Sequence, residues 1–177
     1  MEMTSHLVDF LPFEVADYLE SRAFAASSML VTGPAGSGKS PLLTALANAT
    51  GDHLMLAGLS DLRATLPCLY DHGRALSLHV PRILEMPGTD LVHVLTRQSV
   101  HVAIADDPSD QTWSVLSDLV TAGISVWAST TATRRIPADL VLQLDRSSGL
   151  VGSIHDGQRR LIYQAGHTGT AVFNPGA

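Results

Sequence analysis

Apolar residues fall at helical spacing from Pro12 to about Ala26 (Phe13, Val15, Ala16, Leu19, Phe24), which predicts an opening helix. The short run Ser28-Met29-Leu30-Val31-Thr32 reads as a strand, and Pro41 to Ala49 as a second helix. A second strand is expected at His53–Ala57, ending near Asp61, and the alternating Ala75–Val80 predicts a third, peripheral strand. Thr89–Gln98 places Leu91, Val92 and Leu95 on one side of a helix. Val100 to Ala105 is the pattern of a buried strand, closed by Asp106-Asp107-Pro108. A helix at Trp113–Ala122 and a strand at Ile124–Ser129 follow, then strands at Leu140–Leu144 and Arg160–Tyr163. The tail from Ala165, rich in Gly, Thr and Pro, is expected to be loose. No repeat or linker divides the chain, so a single domain over 1–177 is expected, with its core at about 13–163. Alternating strands and helices predict an α/β fold, a mainly parallel sheet with helices on both faces.

Composition narrows this picture without changing it. A chain of 177 residues, 45% hydrophobic, is long enough for a real core, and 5% aromatic content makes that core Leu, Val, Ile and Ala. The net charge of −6, from 11 Lys+Arg against 17 Asp+Glu, argues against a nucleic-acid partner held by overall charge. Basic residues cluster no further than the pairs Arg134-Arg135 and Arg159-Arg160. Cys68, the sole cysteine, excludes an internal disulfide or a cysteine metal cage and points to a reducing cytoplasm. It reads as a small buried side chain rather than a nucleophile. The acidic N-terminus lacks the layout of a signal peptide, and no apolar run approaches the roughly 20 residues of a membrane span. Eight histidines show no zinc-binding spacing, and His101, inside an apolar run, reads as a satisfied core residue.

The candidate chemistry begins at Gly33-Pro34-Ala35-Gly36-Ser37-Gly38-Lys39-Ser40, a full match to the phosphate-loop pattern G-x-x-x-x-G-K-[ST]. Glycines let backbone amides, here those of residues 34–39, turn inward around the β- and γ-phosphates of a nucleotide. Lys39 adds a point positive charge, and the Ser40 hydroxyl can ligate Mg²⁺. Strand before and helix after are the context this motif needs, because a helix N-terminus itself attracts anions. Pro41 suits the first helical turn, where its missing N–H costs little. The strand ending in Asp106-Asp107 adds what a Mg²⁺-dependent triphosphatase requires: one carboxylate to hold the metal and one to orient the attacking water. Their separation from Lys39 leaves room for a core with a strand inserted between the two motifs. Asp106 is assigned to the metal and Asp107 to the water, although a one-residue shift would exchange them. Ser129-Thr130-Thr131 follows the next strand, where a hydroxyl of Ser129 or Thr130 can report loss of the γ-phosphate or simply form a turn.

These residues resemble a family. "GPAGSGKSPLLTALA" (Gly33 to Ala47) looks like the phosphate loop of the type II and type IV secretion ATPases, which include pilus-retraction and conjugation motors. "GTDLVHVLTRQSVHVAIADD" (Gly88 to Asp107) is similar to the family segment "LRxxPDxIxxGExR", placing Asp107 on the family's catalytic glutamate and Asp110 on a following acid. "TWSVLSDLVTAGISVWASTTAT" (Thr112 to Thr133) matches the spacing of "TGHLVLSTLHTN", with Gly123 on the glycine and Ser129 on a threonine. "DLVLQLDRSSG" and "GQRRLIY" resemble the closing strands of the same core. The resemblance covers roughly residues 13–163 and implies a RecA-like P-loop NTPase core, ATP as the nucleotide, and a homo-oligomeric ring or a secretion or pilus machinery as partner.

The departures bear on activity. Asp107 is shorter than glutamate by about one methylene, and catalysis is sensitive to displacements of about 1 Å. Ser109 replaces the family's following arginine, and Thr131 stands where the strand-end histidine belongs. The acidic box after the second strand is reduced to Asp61. The family's N-terminal domain and most of its later helical region have no counterpart in the chain. Arg63, Arg97, Arg134 and Arg135 are candidates for transition-state charge stabilisation, or for ordinary surface salt bridges. Three functions are in contention: a motor-type ATPase, a nucleotide-binding accessory subunit with weak or no hydrolysis, and a small-molecule kinase suggested by Asp61-Leu62-Arg63. A cytoplasmic site, peripheral to a membrane complex, is the expectation for the first two.

Overall fold

The computed structural model describes residues 6–51, 53–60, 77–81, 87–131, 136–145, 150–166 and 171–176. Asp61, Arg63, Cys68, Arg134 and Arg135 lie outside them. A 3-10 turn at His6–Asp9 precedes α1 (Phe13–Phe24), β1 (Met29–Thr32), α2 (Lys39–Ala49), β2 (Leu56–Ser60), β3 (Ser77–Pro81) and α3 (Gly88–Arg97). Then come β4 (Val102–Ala105), α4 (Asp110–Thr121), β5 (Ser125–Thr130), β6 (Leu140–Leu144), β7 (Val151–Asp156), β8 (Leu161–Gln164) and β9 (Val172–Phe173). Among the described residues these strands form one nine-stranded sheet in the order β3-β2-β4-β5-β1-β6-β7-β8-β9. The strands from β3 to β6 pair in parallel, and β7, β8 and β9 add to β6 as an antiparallel extension.

Strand side chains alternate between faces, so each parallel strand feeds two cores. Met29, Val31, Ile104, Trp127 and Leu142 bury against α1 and α2. Leu30, Ala103, Ala105, Val126 and Ala128 bury against α3 and α4 on the other face. Trp127 is the largest fully buried side chain, and its indole N–H donates to the Ser27 carbonyl at 2.8 Å. Trp127→Phe leaves that carbonyl unpaired and a gap beside it, so urea unfolding should show about 2–4 kcal/mol lost.

Most expected elements form, and the differences have local causes. β2 starts at Leu56 rather than His53, because Gly51 N–H bonds Asn48 O at 3.1 Å and His53 N–H bonds Thr50 O at 3.2 Å, carrying the turn onward. α4 starts at Asp110 because the Ser109 side chain caps it, accepting from Thr112 N–H. β7 was not expected, since Gly152, Ser153 and His155 dilute its apolar pattern; strand pairing on both sides holds it. Its turn is fastened by Asp156, which accepts from Gln158 N–H, Arg160 N–H and Arg160 Nε. Loss of solvation pushes the Asp156 carboxyl up, but these bonds and the Arg160 charge pull it below the ordinary value. The tail is not loose throughout: β9 pairs with β8, and Phe173 meets Tyr18 edge-on with ring centroids 5.9 Å apart. His101 is not a core residue. It lies exposed just before β4, its Nδ1 accepting from Met55 N–H at 3.0 Å. Among the described residues no helix is long and apolar enough to cross a membrane.

Candidate functional site: a phosphate loop and an acid turn on one sheet edge

Parallel strands end on one edge, so whatever follows β1, β4 and β5 is gathered there. β5 lies between β1 and β4 in the sheet, although it follows both in the chain. Neighbouring strands sit about 4.8 Å apart, which puts the backbones carrying the phosphate loop and the acids about 10 Å apart. The register sets Thr130 beside Thr32 at the loop and Ala128 beside Ala105, just before the acids.

After β1 the chain turns through Gly33 to Gly38 and enters α2 at Lys39. Gly38, the cap of α2, has φ +92°, a conformation that L side chains seldom adopt. Gly33 is fixed by close approach instead. A Cβ there would lie 2.6 Å from Ser37 Oγ and 3.1 Å from Leu144 O. Gly33→Ala must therefore displace the loop, lowering thermal stability by about 1–3 kcal/mol and weakening triphosphate binding in the same protein. Isothermal titration beside a melting curve checks both.

Lys39 is buried, 7% exposed, and its ammonium donates to Gly33 O at 3.1 Å and Pro34 O at 3.0 Å. The loop thus closes on its own cation. Two details correct the expectation that the amides of residues 34–39 all face inward. Pro34 has no N–H, and Ser37 N–H donates to Pro34 O at 3.2 Å. The Ser37 hydroxyl, 1% exposed, has no hydrogen-bond partner among the described residues. A buried unpaired hydroxyl costs about 1–3 kcal/mol and marks a place where a polar ligand belongs. With the N-terminus of α2 and the Lys39 charge, that orphaned group makes the loop a fit for phosphate. Ala35 and Gly36 are exposed at the loop's tip, Ser40 is half-buried at the start of α2, and Pro41 is exposed in its first turn.

The acids form a turn held by the neighbouring strand. Ser129, with 0% exposure, donates its hydroxyl proton to Asp106 Oδ1 and accepts Asp107 N–H at 2.8 Å. Asp106 is half-buried, whereas the Asp107 side chain is exposed. Asp107 has φ +46°, a region that Asp tolerates better than longer side chains do. Ser129 pairs in register with Val31, whose side chain packs with α2. Asp106, bonded to Ser129, therefore belongs to the loop-helix side of the sheet. Thr130 is buried, and its carbonyl accepts Gly33 N–H at 3.3 Å, so the end of β5 touches both loop and acid turn. Ser109 and Asp110 serve α4 as cap and first-turn residue, and Arg97 closes α3. Sequence reasoning missed the link from Ser129 to the acids. Its signal was a hydroxyl at the end of the strand next to theirs.

Models of protein families give no match to this chain, and neither do curated proteins. Among solved structures, the VirB11 ATPase from the Brucella suis type IV secretion system, in complex with sulphate, aligns with TM-score 0.56 at 16% identity. The alignment covers 83% of this chain and 52% of VirB11, so the chain spans about half the length of that structure. The flagellar accessory protein FlaH from Methanocaldococcus jannaschii aligns with TM-score 0.43 at 13% identity, covering 67% of this chain and 70% of FlaH. The Legionella pneumophila ATPase DotB aligns with TM-score 0.48 at 13% identity, covering 70% of this chain and 34% of DotB. The likeness to VirB11 is one of fold, and the chain has the α/β, RecA-like architecture expected from its sequence, a mainly parallel sheet with helices on both faces.

Proposed function

We propose that this chain binds a nucleoside triphosphate, ATP by its resemblance, and hydrolyses it with Mg²⁺ as the nucleotide-binding core of a secretion- or pilus-type motor. One observation carries the reading. The loop Gly33–Ser40 and the acid turn Asp106-Asp107 share one sheet edge, with β5 bonded to both. Backbone N–H groups of the loop and α2 hold phosphate oxygens, and Lys39 leaves the Gly33 and Pro34 carbonyls to meet them. The Ser37 hydroxyl finds its missing partner there. Ser40 and Asp106 are the residues that would hold Mg²⁺, which would supply charge neutralisation to the phosphates. Asp107, exposed at the turn, orients the attacking water. A ring of copies, peripheral to a membrane machinery on its cytoplasmic side, is the assembly this reading implies.

A second reading, an accessory subunit that binds nucleotide with little hydrolysis, is favoured by two features. Asp107 is a short acid on a left-handed backbone, and the Ser129 proton is engaged with Asp106. Mg²⁺-dependent ATP turnover measured beside equilibrium binding separates the two. Wild-type turnover that Asp107→Asn slows supports the ATPase. Tight binding without turnover at any protein concentration supports the accessory role.

A further inference from the structure

Ser129 invites assignment as a sensor of the γ-phosphate, since it ends the strand between loop and acids. The hydrogen bonds argue otherwise. A serine hydroxyl carries one proton, and here it points to Asp106 Oδ1. Its acceptor side takes Asp107 N–H at 2.8 Å. With the residue fully buried, a hydroxyl so engaged reaches a phosphate oxygen only by releasing the carboxylate. The bonds instead fix where the Asp106 carboxylate stands and pin the strained Asp107 turn to the rigid centre of the sheet.

Resting on the reading of Asp106 as the carboxylate that meets Mg²⁺, we propose that Ser129 is a positioning residue: it sets Asp106 for the divalent cation and does not distinguish a triphosphate from a diphosphate. Hydrogen bonds that orient a metal-holding group are worth about 10- to 100-fold in metal affinity. The test is equilibrium dialysis of ATP and of ADP across a Mg²⁺ series and in EDTA. It uses the full chain as wild type, Ser129→Ala, Asp106→Asn and the double variant. Ser129→Ala should raise the Mg²⁺ concentration for half-maximal effect by about 10- to 100-fold, with binding in EDTA and the ATP-to-ADP ratio unchanged. Added to Asp106→Asn it should change nothing further, because the two share one interaction.

A reduced ATP-to-ADP ratio with unaltered Mg²⁺ dependence would overturn the proposal and return Ser129 to phosphate sensing. Full additivity with Asp106→Asn would overturn it as well. So would loss of binding in EDTA by Ser129→Ala, which would make the residue a support of the fold or the loop. Absence of nucleotide binding by the wild type is a separate result, and it removes the nucleotide reading itself.

Discussion

Lys39→Ala should weaken ATP binding by about 10- to 100-fold, the loss expected when a charged hydrogen-bond donor worth about 1.5–3 kcal/mol is removed. The effect should be larger than that of any surface arginine, because Lys39 is 7% exposed and its ammonium sits inside the loop. It is also the sole lysine of the chain, so no neighbouring amine can substitute. ADP should be affected less than ATP, since the point charge serves the β- and γ-phosphates. Isothermal titration of both nucleotides with wild type and variant measures this, and equal affinities for the two proteins would remove Lys39 from the site.

Asp106→Asn should cut Mg²⁺-dependent turnover by roughly 100-fold or more, since metal stabilisation of transition-state charge is worth several kcal/mol. Binding in EDTA should stay near wild type, because the loop and Lys39 act without the carboxylate. Asp107→Asn should slow turnover while leaving the Mg²⁺ requirement in place. This asymmetry follows from position. Asp106 is half-buried and bonded to Ser129 on the α2 side of the sheet, whereas the Asp107 side chain is exposed. The opposite pattern, with Asp107→Asn shifting the Mg²⁺ dependence and Asp106→Asn not, would exchange the two roles.

Much of this arrangement was legible because single physical rules governed it. The run Met29-Leu30-Val31, closed by the glycine turn that follows it, reads as a buried strand, and the pattern Gly33–Ser40 fixes a turn and a helix start together. The spacing from Lys39 to Asp106 left room for intervening strands, and β2 and β3 occupy it. Where two rules competed, the reading failed. His101 stands in an apolar run, but pairing of β4 begins only at Val102, and this leaves the imidazole outside the core. β7 and β9 depend on partners rather than on their own patterns: Gly152 and Ser153 hide the first, and the two residues Val172 and Phe173 are too few to signal the second.

The site shows the same division. Residue types at Lys39, Ser40, Asp106 and Asp107 suggested the phosphate and metal roles proposed for them, the loop by its full pattern and the acids by their place at a strand end. What sequence could not give was the partner of each polar atom. The Ser129 proton goes to Asp106, the Thr130 carbonyl to Gly33, and the Lys39 ammonium back to its own loop. The first two contacts join residues far apart in the chain and arise from strand order and register, whereas the third is local and arises from the loop's own turn.

The most direct test of the central claim, that Gly33–Ser40 holds a nucleoside triphosphate, uses Lys39 as its own reporter. The rate of amine acylation at Lys39, read by peptide mass spectrometry, should fall with ATP·Mg²⁺ along a saturable curve that matches equilibrium binding. An acylation rate unchanged up to saturating nucleotide, in a protein that is folded by its melting curve, would contradict the account.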